Sequence, residues 1–440
     1  MRGPGEILVV SCYESGRQPV AAAAAMAALE RAGFAPAAQD VSVEKLSDSA
    51  LGRARLVLIS VPMHTALQLG VRVAARARVA GARVAGARVG FFGLYATLNA
   101  EHLRARHGDF VAGESAAELV ELARAVEEGR SQRPVEVKKR EAAVPSRSAL
   151  PVLDRYAKLS WNGEERLVAS VDASQGCKHL CRHCPIVPVY RGRFVAVPRE
   201  TVLADVEQQI AHGARHVSFG DPDFLNGPTH ALRLARELHE RWPEVTFDAT
   251  IKIEHLLEHA GLLQELVRSG LIFVTSAVET LNDQILKTLD KGHTAADVPK
   301  ALRAVREAGA ELRPTLLPYT PWTPLEDLPG LFDFALEHDL LDAIDPVQFT
   351  LRLLLPPGSL LLENAGPWLR GFDEEAFTWR WEHEDVRVDT LWRESAEAAQ
   401  KGGGFEELRA LVDRAVGRPG KALKPRPRRS VPRLTEPWFC

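Results

Sequence analysis

Two α/β units in series are predicted: an open, doubly wound parallel sheet over residues 1–128, and a partial (β/α)6 TIM barrel over residues 161–357. Three observations point there. Short apolar runs recur at helix-sized intervals in both halves, a polar stretch interrupts them, and a cysteine cluster follows the first strand-like run of the second half. A chain of 440 residues is too long for one ordinary core, and its 46% hydrophobic and 26% charged content suits a soluble globular protein.

In the first unit, I-L-V-V (Ile7 to Val10), V-L-I-S-V (Val57 to Val61) and V-G-F-F-G (Val89 to Gly93) read as buried parallel strands. Alanine- and arginine-rich helices separate them, a flavodoxin-like pattern. Ligands bind such sheets at the C-terminal strand ends, which here lead into Tyr13, His64, Tyr95 and Glu114. His64 reads equally as a ligand contact or as a loop histidine satisfied internally. Cys12 reads as a small core filler. Residues 129–160, with V-E-V-K-K-R-E and then Pro145, form a polar linker.

In the second unit, six strands are expected: Leu167 to Asp172, His216 to Gly220, Thr246 to Ile251, Ile272 to Val278, Glu311 to Leu317 and Val347 to Leu353. Functional groups should gather at their C-terminal ends. Residues 358–420 read as a helical extension in which Trp368, Trp379, Trp381 and Trp392 pack a cap. Residues 421–440 form a basic, proline-rich, extended tail with six basic residues against one acidic, +5 by count.

Cys177, Cys181 and Cys184 lie in Q-G-C-K-H-L-C-R-H-C-P, with C-x3-C-x2-C spacing. Three thiolates hold three irons of a 4Fe-4S cluster and leave the fourth iron open to a ligand. Structural zinc is the competing reading. It needs four ligands, usually as two spaced pairs, and only His179 and His183 inside the tight loop offer a fourth. Outside the triplet stand only Cys12 and Cys440, too few for a second cluster unaided.

This triplet, closing the strand-like L-V-A-S-V-D, resembles the cluster loop of radical S-adenosylmethionine (SAM) enzymes. The resemblance implies a 4Fe-4S cluster held by the three cysteines and SAM on the open iron. His183 stands where the family usually has an aromatic residue. Gly220, Asp221 and Pro222 stand at the turn that meets the SAM amino group. Lys252 faces the SAM carboxylate or solvent. Glu279, in A-V-E-T ahead of K-G-H-T, matches a contact to the cosubstrate. Arg352, in an otherwise apolar strand, meets a carboxylate of SAM or substrate, or points outward.

The implied activity is reductive cleavage of SAM to a 5'-deoxyadenosyl radical that modifies a small molecule. The domain order resembles the cobalamin-binding class, so cobalamin is a further expected cofactor and methyl transfer is favoured. Rearrangement, oxidation or carbon transfer without cobalamin is the alternative, and a non-catalytic binding or sensing protein is the reading of another class. No D-x-H-x-x-G string is present, so cobalamin would lack that lower histidine ligand.

The end R-L-T-E-P-W-F-C resembles the Cys-Cys-Ala-Glu-Pro (CCAEP) or Cys-selenocysteine-Ala-Glu-Pro (CUAEP) tails of some radical SAM proteins. Cys440 would then be the first of a vicinal pair in a selenoprotein truncated at its selenocysteine codon; a frayed terminus is the alternative. The resemblance also implies an electron donor such as flavodoxin or ferredoxin. A net charge of -3 and no chain-wide basic field argue against nucleic acid. Without an apolar run near 18 residues or a signal sequence, no membrane association and a cytoplasmic location are expected.

Overall fold

In the computed structural model, residues 1–81, 87–130, 143–419 and 427–436 are described. Five parallel strands make the N-terminal sheet: β1 (Ile7–Ser11), β2 (Ala37–Asp40), β3 (Leu56–Ser60), β4 (Arg88–Phe92) and β5 (Phe110–Ala112), in the order β2-β1-β3-β4-β5. That order is flavodoxin-like, with its topological switch point between β1 and β3. Alternate residues serve opposite faces: Leu8, Val10, Ile59 and Phe91 enter one core, while Ile7, Val9, Leu58 and Phe92 enter the other. Both faces are therefore covered, which explains the uninterrupted apolar runs.

The second sheet carries five parallel strands: β7 (Glu164–Val171), β10 (His216–Phe219), β11 (Thr246–Thr250), β12 (Leu271–Glu279) and β13 (Glu311–Leu316). β6 (Lys158–Trp161) pairs antiparallel with the outer side of β7. A short hairpin of β8 (Ser174–Gly176) and β9 (Phe194–Ala196) stands beyond the end of β7. The sixth expected unit shrinks to a contact. Pro346 opens a 3-10 turn over Pro346–Thr350, and only a parallel bridge, Tyr319 to Arg352, continues the half barrel.

Two boundaries differ from expectation. β6 starts at Lys158, inside the stretch 129–160 read as linker, and pairs with β7 of the barrel sheet. Part of the linker is anchored: Arg147 donates to both oxygens of Asp205 at 2.6 and 2.7 Å, to Gln18 Oε1 at 2.9 Å and to the Ser170 carbonyl at 2.6 Å. The extension begins as a hairpin, β14 (Leu369–Asp373) with β15 (Thr378–Trp381), before the helices Val386–Gln400 and Phe405–Ala415. Trp379 and Trp381 alternate with period two, a strand signal inside what reads as a helical region.

The described part of the tail is docked. β16 (Arg433–Leu434) pairs antiparallel with β6, Arg429 meets Glu311 at 2.6 Å, and Leu434 packs on Leu159, Val168 and Phe273. Cys440 lies outside the described residues. Among the described residues, no helix is long and apolar enough to cross a membrane.

Candidate functional site

The β8–β9 hairpin holds both ends of the cysteine loop by pairing Gly176 with Phe194 and Ser174 with Ala196. Gly176 has φ 76°, and a Cβ there would collide with the Arg193 carbonyl and the Tyr190 ring. Cys177 and Cys181 are buried and Cys184 half-buried, all as free thiols. Burial pushes the Cys177 and Cys184 thiols up, Cys184 to about 12. Burial thus favours the neutral thiols unless a bound metal compensates the thiolates.

The residues fit an iron-sulfur cluster better than zinc. Neither histidine of the loop completes a four-ligand zinc set with the cysteines. His179 contacts His255 at 3.2 Å and Glu254 at 3.5 Å, and His183 Nε2 lies 3.4 Å from Glu279 Oε1. His183 Nδ1 is buried without a hydrogen-bond partner, so it remains available to a bound group.

Glu279 sits at the end of β12 after a register shift, with φ 65°, a left-handed conformation that a glutamate adopts at a cost. Its carboxylate meets Lys291 Nζ at 2.9 Å. Burial opposes its ionisation, but Lys291 and His183 hold it well below the usual carboxylate range. Burial disfavours the Lys291 ammonium, but Glu279 and the Cys181 and Cys184 sulfurs together raise its pKa. Sequence reasoning assigned Lys291 no role, although K-G-H-T carried the signal.

The Gly220-Asp221-Pro222 turn follows β10 at the expected strand end. A Cβ on Gly220 would collide with the Asp172 carboxylate. The Asp221 carboxylate is turned back to the cluster loop's approach, accepting from Ala173 N at 2.9 Å and from the Ser174 hydroxyl. Burial raises its pKa to about 6 against those bonds. Two residues on, Asp223 lies against His179 and His255, and Asn226 accepts from Lys178 N at 3.1 Å. Sequence reasoning named neither Asp223 nor Asn226, although both stand in the D-P-D-F-L-N run. Lys252, at the end of β11, donates to Glu254 at 3.0 Å.

Arg352 is engaged within the chain. Its anionic partner is inside the chain: Nη1 donates to Asp389 at 2.7 Å and Nη2 to the Trp381 carbonyl at 2.7 Å. The guanidinium lies 3.7 Å from the Trp381 ring centre and 4.5 Å from that of Trp392. It fastens the extension to the barrel.

In the N-terminal unit, His64 Nε2 is 2.7 Å from the Ala376 carbonyl of the hairpin turn. Tyr13 donates to Glu436 at 2.9 Å. Tyr95 packs in the sheet core with its ring 5.8 Å from His64. The ligand edge of this sheet faces the cysteine loop: the helix Leu94–Leu98 after β4 packs on the helix Ile186–Tyr190 after Cys184, and the Tyr190 hydroxyl donates to Glu114.

Fold and site together define a two-domain α/β protein whose half barrel presents three unpaired thiols at its first parallel strand end. Residues 171–333, which carry the parallel strands of the half barrel from the end of β7 onward, match the domain family described as the Radical SAM superfamily. The cofactors that this domain implies are a 4Fe-4S cluster and SAM. Among curated relatives, a tRNA-2-methylthio-N(6)-dimethylallyladenosine synthase of Pseudoalteromonas atlantica is 25% identical over 225 residues, 48% of this chain and 45% of the relative. The ribosomal protein uS12 methylthiotransferase RimO of Geobacter sulfurreducens is 25% identical over 191 residues, covering 40% of this chain and 41% of its own. The chain thus spans about half the length of the curated relatives it matches.

Among solved structures, the radical SAM methyltransferase TsrM of Kitasatospora setae, with tryptophan and aza-SAM bound, superposes with TM-score 0.64 at 18% identity, covering 83% of this chain and 78% of its own. The cobalamin-dependent radical SAM enzyme OxsB superposes with TM-score 0.63 at 12% identity, covering 88% and 66%. At these identities the likeness is one of fold.

Proposed function

We propose that this chain is a cobalamin-dependent radical SAM enzyme that transfers a methyl group to a small molecule. The observation that carries the reading is the meeting of the flavodoxin-like ligand edge with the cysteine loop, helix Leu94–Leu98 against helix Ile186–Tyr190. A ligand held at that edge lies beside the cluster loop, and TsrM and OxsB share the fold of both domains. Bound together, the cluster and SAM supply one-electron cleavage of a carbon-sulfur bond, giving a 5'-deoxyadenosyl radical.

The chain's own residues bind and orient. Cys177, Cys181 and Cys184 hold the cluster, and Lys291 beside them offsets its negative charge. The Gly220 to Pro222 turn, Lys252, His183 and Glu279 border the SAM position. Glu279 is fixed by Lys291, so that one oxygen stays in place for a ribose hydroxyl. His64 is held by the Ala376 carbonyl, which agrees with cobalamin bound without a histidine lower ligand.

The test is anaerobic reconstitution with iron and sulfide, loading with hydroxocobalamin, gel filtration, and assay for 5'-deoxyadenosine with SAM and dithionite. Expected are a retained cobalamin spectrum and cleavage, with Cys181→Ala losing both the brown chromophore and cleavage. Cleavage without retained cobalamin would replace methyl transfer by cobalamin-free radical chemistry. No cleavage by a fully loaded, reduced cluster would overturn the enzyme reading.

A further inference from the structure

Beside the cysteine loop, donor atoms of His179, Asp223 and His255 converge. His179 Nε2 lies 3.2 Å from His255 Nε2 and 3.6 Å from Asp223 Oδ2, and Asp223 Oδ2 lies 2.7 Å from His255 Nδ1. The Asp223 side chain is 0% exposed. Its Oδ1 accepts from Leu225 N at 3.2 Å and caps the turn Phe224–Asn226.

Asp223 Oδ2 has no such partner. Both it and His255 Nδ1 are buried without a hydrogen bond of acceptable direction, although they approach closely. A hydrogen-bonded histidine pair accounts for the 3.2 Å contact alone and leaves these two atoms orphaned. Donors that converge without facing one another suit a shared cation.

We propose that His179, Asp223 and His255 form a mononuclear divalent-metal site, separate from the cluster, that takes Zn2+, Fe2+ or Co2+. For metal–nitrogen bonds of about 2.1 Å, tetrahedral geometry sets donor atoms about 3.4 Å apart. Taken through Nε2 of both histidines, the 3.2 and 3.6 Å separations bracket that edge, whereas the contact of Asp223 Oδ2 to His255 Nδ1, at 2.7 Å, is shorter than it. Glu254 Oε2 lies 3.5 Å from His179 Nδ1, so the acidic group faces the nitrogen turned away from the proposed metal. Lys252 in turn steadies Glu254 at 3.0 Å. Two imidazoles and one carboxylate leave coordination open to a substrate oxygen or nitrogen, so the site would fix a polar group of the substrate next to the cluster.

The site can be tested without turnover. The full chain, reconstituted with its cluster anaerobically, is stripped with EDTA, equilibrated with Co2+, desalted and analysed for cobalt and iron. About one cobalt per chain is expected for the native sequence, and its loss in Asp223→Asn and in His255→Gln with iron unchanged. The retained iron also reports that the loop is folded in each variant. Cobalt absent from the native chain, cobalt retained by both variants, or iron lost together with cobalt would overturn the proposal.

Discussion

Lys291 Nζ and Glu279 Oε1 meet at 2.9 Å in a buried pair, their residues 4% and 8% exposed, at the end of the fourth parallel barrel strand. The pair joins the strand end to the cysteine loop, because His183 reaches the same Glu279 oxygen. Removing one partner strands the other charge in a low-dielectric setting.

Glu279→Ala is therefore expected to destabilise the chain by about 3–5 kcal/mol in urea unfolding. Replacing both charges, as Glu279→Ala with Lys291→Met, should recover much of that loss, since no uncompensated charge remains. A single substitution costing under about 1 kcal/mol, the range of an exposed pair, would show that the two charges are solvated.

Arg352→Lys keeps the charge but loses the two-pronged contact to Asp389 and the Trp381 carbonyl and the stacking between Trp381 and Trp392. A loss of about 2–3 kcal/mol is expected, with SAM affinity of the reconstituted protein unchanged. Weakened SAM binding at unchanged stability would return Arg352 to the cosubstrate.

What was legible in the sequence is what short-range pattern encodes. The cysteine loop and the strand before it are contiguous, so their relation survives without tertiary information. β2 (A-A-Q-D) and β5 (F-V-A) are too short and too weakly apolar to stand out, and only their neighbours in the sheet make them strands. Arg352 looked like a carboxylate binder because its partner, Asp389, is 37 residues away on another element. The hairpin was hidden by tryptophans whose alternation spans only Trp379 to Trp381. Asp223 and Lys291 gain meaning only when three strand ends are brought together.

Glu14 supplies a pH signature. Burial raises its pKa from 4.5 to about 7, Asp40 adds to the rise, and the Val20 and Ala21 amides and Arg147 oppose it. The folded chain thus keeps a proton on Glu14 up to about pH 7, whereas the unfolded chain releases it near 4.5. Between these values the folded state binds more protons, so this group's contribution makes stability fall as pH rises through the window. Glu14→Gln should flatten that fall and stabilise the chain by about 1–3 kcal/mol at pH 8, while keeping the acceptor for Val20 N. Matching pH–stability curves for the two proteins would refute the raised pKa.

Arg147 ties three segments together: Gln18 of the N-terminal domain, the linker that carries it, and Ser170 and Asp205 of the barrel. The side chain is only 5% exposed and its carboxylate partner 4%, so the pair is desolvated on both sides. Arg147→Ala leaves Asp205 with only Gln208 and Gln209 as side-chain partners, and removes the one group that bonds to both domains at this point. The expected cost is about 3–5 kcal/mol. Because the contact spans the domains, the loss should also raise the rate of limited proteolysis between residues 128 and 150 in the folded protein. Arg147→Lys should rescue little, since an ammonium cannot serve Asp205, Gln18 and the Ser170 carbonyl in one plane. Full rescue by lysine would mean that charge alone, and not the forked geometry, holds the domains together.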